Sequence, residues 1–168
     1  TSTTLSMDER GQVHVYSRNW ELDSMSSNMQ LAKRFQLDKM LWPGMAAQFE
    51  LCGPGIQSNR LKLPAQRPFV FAVWKDHHKI DRDQWPTGMP NLAVPELDEN
   101  EWALTGSVDD MIAKVDGLRG NVTKDRLDEG IVWHLHEDQQ LSEGLADELG
   151  ANRCFKIINN KYLTKNGL

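Results

Sequence analysis

Residues 49–63 read FELCGPGIQSNRLKL: a strand that carries an acidic residue, Glu50, and runs into a glycine-rich loop. Glycine lets a backbone approach a ligand closely, and a carboxylate at a strand end is well placed to accept a ribose hydroxyl. With no ligand, the same letters describe a turn beside an exposed glutamate. Working outward, 45–51 and 68–74 are both strand-like, and a Gly/Pro/Asn loop separates them.

On the N-terminal side, 3–7 and 13–17 read as two short strands around turn residues 8–11, a hairpin by pattern. Residues 26–41 carry Met29, Leu31, Phe35, Leu37, Met40 and Leu41 at mixed helical spacing, which predicts one helix ending before Pro43. On the C-terminal side, 77–95 is irregular, with three prolines among polar residues. Residues 107–117 predict a short helix, with a capping box from Ser107 to Asp110 and Gly117 as its stop. Residues 129–136 alternate Ile131, Trp133 and Leu135 against Val132, His134 and His136, the period of a strand. An amphipathic helix over 141–149 and a last strand over 154–160 follow. Strands with helices inserted between them, and few βαβ units, make the class α+β with antiparallel sheets.

Composition narrows the function. A chain of 168 residues has room for one domain with a real core, and 39% hydrophobic with 26% charged residues is ordinary for a globular protein. No apolar run approaches the roughly 18 residues of a membrane span, and the start TSTTLSMDERG lacks the basic and apolar regions of a signal peptide. Two cysteines, Cys52 and Cys154, suit a reducing compartment, so a cytoplasmic location is expected; a single disulfide between them stays open. The net charge of −5 means that any nucleic-acid contact must rest on a local basic patch.

Three more segments carry possible chemistry. In DEGIVWHLH (128–136), Asp128 and Glu129 precede an apolar strand, where a carboxylate could hold a divalent metal beside phosphates or simply face solvent. In FKIINNKYLTK (155–165), Lys156 and Lys161 sit in or just after a strand, as cations for a polyphosphate or as snorkelling strand ends. In VYSRNWEL (15–22), Arg18 follows a strand and could meet a sugar or phosphate.

Taken in order, SRN, FEL with GPGIQ, FVFAVW, EGIVW and FKIINNKYL resemble motifs Ia, III, IIIa, IV and V of ATP-dependent, nick-sealing RNA ligases. The likeness is to the RNA ligase 2-like group of the lysine nucleotidyltransferase superfamily. It implies a nucleotidyltransferase (ATP-grasp-like) domain of two antiparallel sheets flanked by helices, with ATP between the sheets. It implies Arg18 at the ribose or RNA end, Glu50 on the ribose 2′-hydroxyl, and Phe71 stacked on adenine. Phe69 is the fallback, since alternation puts both rings on one face. Glu129 would support Mg2+ or Mn2+, Lys156 would contact the α-phosphate, and Lys161 would be a second cation. Some relatives carry another lysine where this chain has Ile158. The implied reaction joins RNA 3′-hydroxyl and 5′-phosphate ends, as in a nicked duplex. It passes through lysyl-AMP and RNA-adenylate, with cations stabilising the transferred phosphoryl group.

In that family the nucleophilic lysine lies in KxDG, ahead of the first of these motifs. The opening TSTT resembles what directly follows KxDG, so residues 1–168 are expected to be a single, N-terminally truncated nucleotidyltransferase domain, inactive alone. A KxDG string does occur at 114–117, but it closes a capped helix and lies between the third and fourth motifs. DNA ligases and capping enzymes usually continue past motif V into an OB domain; none is expected after Tyr162 here, which would favour the RNA ligase branch. Two rival readings remain. One is a metal hydrolase using His77–His78 or His134 with His136, which lacks an accompanying ligand pattern. The other is a non-catalytic nucleotide- or nucleic-acid-binding module.

Overall fold

Strand β4 (Met45–Cys52) buries every second residue, so Met45, Ala47, Phe49 and Leu51 enter the core while Ala46, Gln48, Glu50 and Cys52 stay half-exposed. Its neighbours are β1 (Ser2–Met7) and β5 (Arg67–Lys75), both antiparallel to it. With β2 (Val13–Tyr16), β3 (Glu21–Leu22) and β6 (His78–Ile80), they form a six-stranded sheet in the order β3-β2-β1-β4-β5-β6. The computed structural model describes residues 1–103, 107–134 and 154–168. The chain divides into two compact units, Thr1–Glu96, which holds this sheet, and Leu97–Leu168.

One face of the sheet packs against α1 (Ser27–Arg34) and α2 (Leu37–Met40), in a core that joins Leu5, Val15, Phe49 and Val73 to Met29, Ala32, Leu37 and Leu41. The sequence predicts a single helix here, and the structure breaks it at Gln36, which adopts a left-handed φ of 58°. At 100° per residue, an unbroken helix that buried Met29 and Ala32 would turn Gln36 inward and leave Leu37 and Leu41 roughly 110° and 150° off the core. The break buries both leucines and exposes the glutamine.

A second departure from simple periodicity lies in β5. Gln48 pairs with Ala72, but Phe49 pairs with Val70, so Phe71 is the extra residue of a β-bulge. The stretch 77–95, read as irregular, contains β6 and two 3₁₀ turns, Arg82–Gln84 and Met89–Leu92.

The second unit contains α3 (Val108–Val115), β7 (Gly130–His134), β8 (Cys154–Ile158) and α4 (Asn160–Asn166). The capping box on α3 is present: Ser107 and Asp110 bond each other's backbone amides. The Ser107 amide, and then its hydroxyl, hold the Asp110 carboxyl below the usual 3.8. Strands β7 and β8 pair antiparallel, and they approach so closely at Gly130 that a Cβ there would lie 2.2 Å from the Ile157 carbonyl oxygen. Only glycine fits at that position. The last strand ends two residues sooner than its pattern suggests, because Asn159 caps a helix absent from the sequence reading. No disulfide joins Cys52 and Cys154. No helix among the described residues is long and apolar enough to cross a membrane. The predicted helix over 141–149 lies outside the described residues.

Candidate functional site

Residues directly opposite one another in an antiparallel pair share a face. The register therefore defines what lines the side of the large sheet away from α1 and α2. Glu50 lies opposite Ser2 on β1 and Phe69 on β5; Gln48 lies opposite Thr4 and Ala72. Tyr16 lies opposite Thr4, with Glu21 beyond it. Trp74 shares this face and donates its indole N–H to Gln48 Oε1 at 3.2 Å. The Glu50 carboxylate thus shares this face with Phe69, directly opposite it, and with Trp74 and Tyr16 further along.

Glu50 is 44% exposed, with Oε2 2.9 Å from the Thr1 amino nitrogen. Phe69 is buried beneath the Arg67 guanidinium, 4.5 Å from its ring centroid, so one side of that ring is already covered. Phe71 is half-exposed at the bulge and has no cross-strand partner. The extra residue interrupts strict alternation at Phe71, so period two alone does not assign that ring to a face. Arg18 is exposed in the tight turn between β2 and β3, which Ser17 N–H closes on Trp20 O at 2.8 Å.

His14, which no sequence motif marked, reaches across the edge of this face. Its Nδ1 lies 2.8 Å from Glu21 Oε1, and its Nε2 lies 3.6 Å from Asp8 Oδ2. With a carboxylate at each nitrogen the doubly protonated ring is favoured, so the His14 pKa rises above its ordinary 6.5, chiefly through the Glu21 hydrogen bond. Asp8 is held below 3.8, first by the Gln12 amide. A raised folded pKa means that the stabilisation is complete below pH 6.5 and fades as pH rises through the folded value. By NMR, His14 should titrate above 6.5 in the native chain and move back toward it in Glu21→Gln. Titration at or below 6.5 in the native chain would contradict the contact.

The second unit assembles the other candidates. Lys156 on β8 lies opposite Val132 on β7, and its Nζ donates to Glu129 Oε1. Lys161 takes a different partner: its Nζ lies 3.1 Å from Asp116 Oδ2, and its amide donates to Asp116 Oδ1 at 3.2 Å. Asp128, considered for a metal, is buried and accepts from the amides of Asn121 and Val122 and the Asn121 side chain. It fixes a loop.

The hub of this unit is Asn159, fully buried and unmarked in the sequence. Its Nδ2 donates to the Leu118 and Asp128 carbonyls at 3.0 and 2.9 Å; its Oδ1 accepts from the Gly117 amide at 2.9 Å and the Tyr162 amide at 3.4 Å. Its own amide donates to the Glu129 carbonyl at 2.9 Å. One side chain thereby ties the end of α3, the entry to β7 and the start of α4 together. The signal that could have found it is its position, an N-cap asparagine.

Lys114 of the internal KxDG string ends α3. Its Nζ donates to the Glu101 carbonyl and lies 4.8 Å from the centre of the Trp102 ring. His77 and His78 are exposed at the β5–β6 turn, and His136 lies outside the described residues. Among the described residues, no three His, Cys, Asp or Glu side chains are grouped to hold a metal ion.

Neither a protein-family model nor a curated protein matches the chain. Solved structures do. An RNA ligase from Naegleria gruberi with pyrophosphate superposes with a TM-score of 0.69 at 24% identity, over 99% of this chain and 48% of that one. Variants of the same enzyme match similarly. One with ATP and Mn has a TM-score of 0.67 at 24% identity, over 99% and 49%; another with AMP and Mn has 0.67 at 24%, over 98% and 48%. Half of an RNA ligase has this fold. The chain spans about half the length of those ligases. The likeness includes residues of both units.

Proposed function

We propose that this chain is the nucleotide-binding and nucleotidyl-transfer part of an ATP-dependent RNA ligase. The observation that carries this reading is the contact between Glu129 and Lys156. These residues stand 27 apart in sequence, in the two segments that resemble motifs IV and V, and they meet on a fold shared with RNA ligases. In this reading Glu50 accepts the ribose 2′-hydroxyl and Phe71 stacks on adenine. Arg18 meets the ribose or RNA end, Lys156 contacts the α-phosphate, and Lys161 adds a second positive charge. Lys156 would stabilise negative charge gathering on the α-phosphate as pyrophosphate leaves, in the manner of other preorganised cations.

A divalent ion, Mg2+ or Mn2+, fits the donor set in a limited way. Glu129 offers one carboxylate, and such ions commonly take their remaining oxygens from phosphates and water. When bound, the ion would neutralise phosphate charge. The residues of this chain supply binding and orientation. The geometry of Lys114 also favours a second reading, a non-catalytic nucleotide- or RNA-binding module, because that lysine is engaged by Glu101 and Trp102.

Incubation with α-labelled ATP separates the two. Label on a chain extended upstream through KxDG supports the ligase; no label on any length of chain, despite ATP binding, supports the module. For either, Glu50→Ala should weaken ATP binding by roughly tenfold, the loss of one hydrogen bond to a charged group. Unchanged affinity by calorimetry would remove Glu50 from the site.

A further inference from the structure

We infer that the loop between β4 and β5 is a preformed contact for the phosphate backbone of RNA, with Arg60 and Lys62 as the contacting residues and Arg34 and Arg67 flanking them. This rests on the RNA ligase reading for the choice of polyanion, and on the following observations for the surface.

Residues 51–75 contain Arg60, Lys62, Arg67 and Lys75 and no Asp or Glu, in a chain that carries 24 acidic residues among 168. At that frequency a stretch of this length would hold three or four acids. The chain as a whole is acidic, so phosphate affinity has to come from a local patch. Arg34, at the end of α1, joins the loop by donating to the Gln66 carbonyl at 3.3 Å. Arg34, Arg60, Lys62 and Arg67 form no ion pair with a carboxylate among the described residues, whereas Arg82, Lys156 and Lys161 each do. Cations left without carboxylate partners are available to phosphate.

The loop is also held in shape. Its ends touch: a Cβ on Gly53 would lie 2.5 Å from Gln66 Cα, and Gln66 Nε2 donates to the Pro54 carbonyl at 2.8 Å. Its tip is closed by Asn59, whose side chain donates to Leu63 O at 3.0 Å and accepts from Leu63 N–H at 3.1 Å. The Lys62 amide adds a bond to Asn59 O at 2.8 Å, and the Leu63 side chain is buried as an anchor. The backbone that carries half-buried Arg60 and exposed Lys62 is therefore held in a turn, which spares the backbone entropy that a mobile loop would lose on binding. The loop continues β4 directly beyond Glu50, the proposed ribose ligand. That continuity favours a nucleic-acid strand over an acidic protein as the occupant.

The test is fluorescence anisotropy of a short labelled RNA strand with the full chain over a range of salt concentrations. Arg60→Glu with Lys62→Glu should abolish measurable binding. The milder Arg60→Gln with Lys62→Gln should weaken it on the order of tenfold and reduce the salt slope by about 1.4, two single-strand phosphate contacts. The control Lys124→Glu with Arg126→Glu makes the same change in net charge at exposed positions of the other unit and should bind within twofold of the native chain. Thermal unfolding of each variant verifies folding, and the glutamine pair decides if the glutamate pair does not fold. Equal loss in the control, an unchanged slope in the glutamine pair, or binding of poly-glutamate but not RNA would each overturn the proposal. If ATP labels no length of chain yet RNA binding still depends on Arg60 and Lys62, the ligase reading falls and this surface stands.

Discussion

Asn159→Ala is expected to destabilise the chain by about 3 kcal/mol, the cost of stranding several buried hydrogen-bonding groups. The side chain is wholly buried and makes four hydrogen bonds, to Gly117, Leu118, Asp128 and Tyr162. The losses are unequal. Tyr162 N–H keeps a backbone bond to Asn159 O, and Leu118 O still accepts from Asp128 N–H. The groups left alone are the Gly117 amide and the Asp128 carbonyl, so the effect should centre on the junction of α3 and β7. Chemical denaturation measures the total, and amide exchange at Gly117 reports the local part. Asn159→Asp should also be costly, since it keeps the acceptor but sets a carboxylate against two carbonyl oxygens. A loss below about 1 kcal/mol for both variants would show that the network is dispensable.

Lys156→Ala, in a chain extended upstream through a KxDG lysine, is expected to lower the rate of self-adenylylation roughly 100-fold or more. That is the usual consequence of removing a preorganised charge from a developing oxyanion. Lys114→Ala in the same chain should change the rate by less than twofold, because Lys114 closes a helix against Trp102 and Glu101. Single-turnover labelling with excess ATP keeps binding and transfer apart. A strong effect at Lys114 and none at Lys156 would reverse the assignment and make the internal string the nucleophile. Lys156→Ala also leaves Glu129 without its cation. Lys156→Arg, which keeps the charge but changes the fork of donors, should recover part of the rate if charge is what matters.

Features encoded within a few neighbouring residues were legible in the sequence. The alternation in MAAQFELC gave β4, and Ser107 with Asp110 gave the start of α3. Antiparallel α+β architecture followed from such pieces. What stayed hidden depends on register or on distant partners. Gln36 breaks a helix although glutamine is a good helix former, because burial of Leu37 and Leu41 outweighs local preference. The bulge at Phe71 has no composition of its own, yet it shifts the register between β4 and β5. Asp128 looked like a metal ligand because it is acidic and precedes a strand; its three partners sit in a loop whose path the sequence does not reveal. The candidate site residues were found as motif letters, and what they touch came only from the fold: Lys156 meets Glu129, while Lys161 meets Asp116.

Gly130 follows Glu129 in the EGIVW string and lies where any side chain would strike the Ile157 carbonyl. Its identity is dictated by how closely two strands approach, and the requirement holds whether or not a nucleotide ever visits. Neighbouring letters of one short string thus answer to different pressures: the glycine to assembly and, on the proposed reading, the glutamate before it to chemistry. If that reading holds, a descendant that abandoned ligation could exchange Glu129 and still be obliged to keep Gly130. Retention of the glycine alone in such a string would testify to an inherited shape, and retention of the acid to a trade still practised.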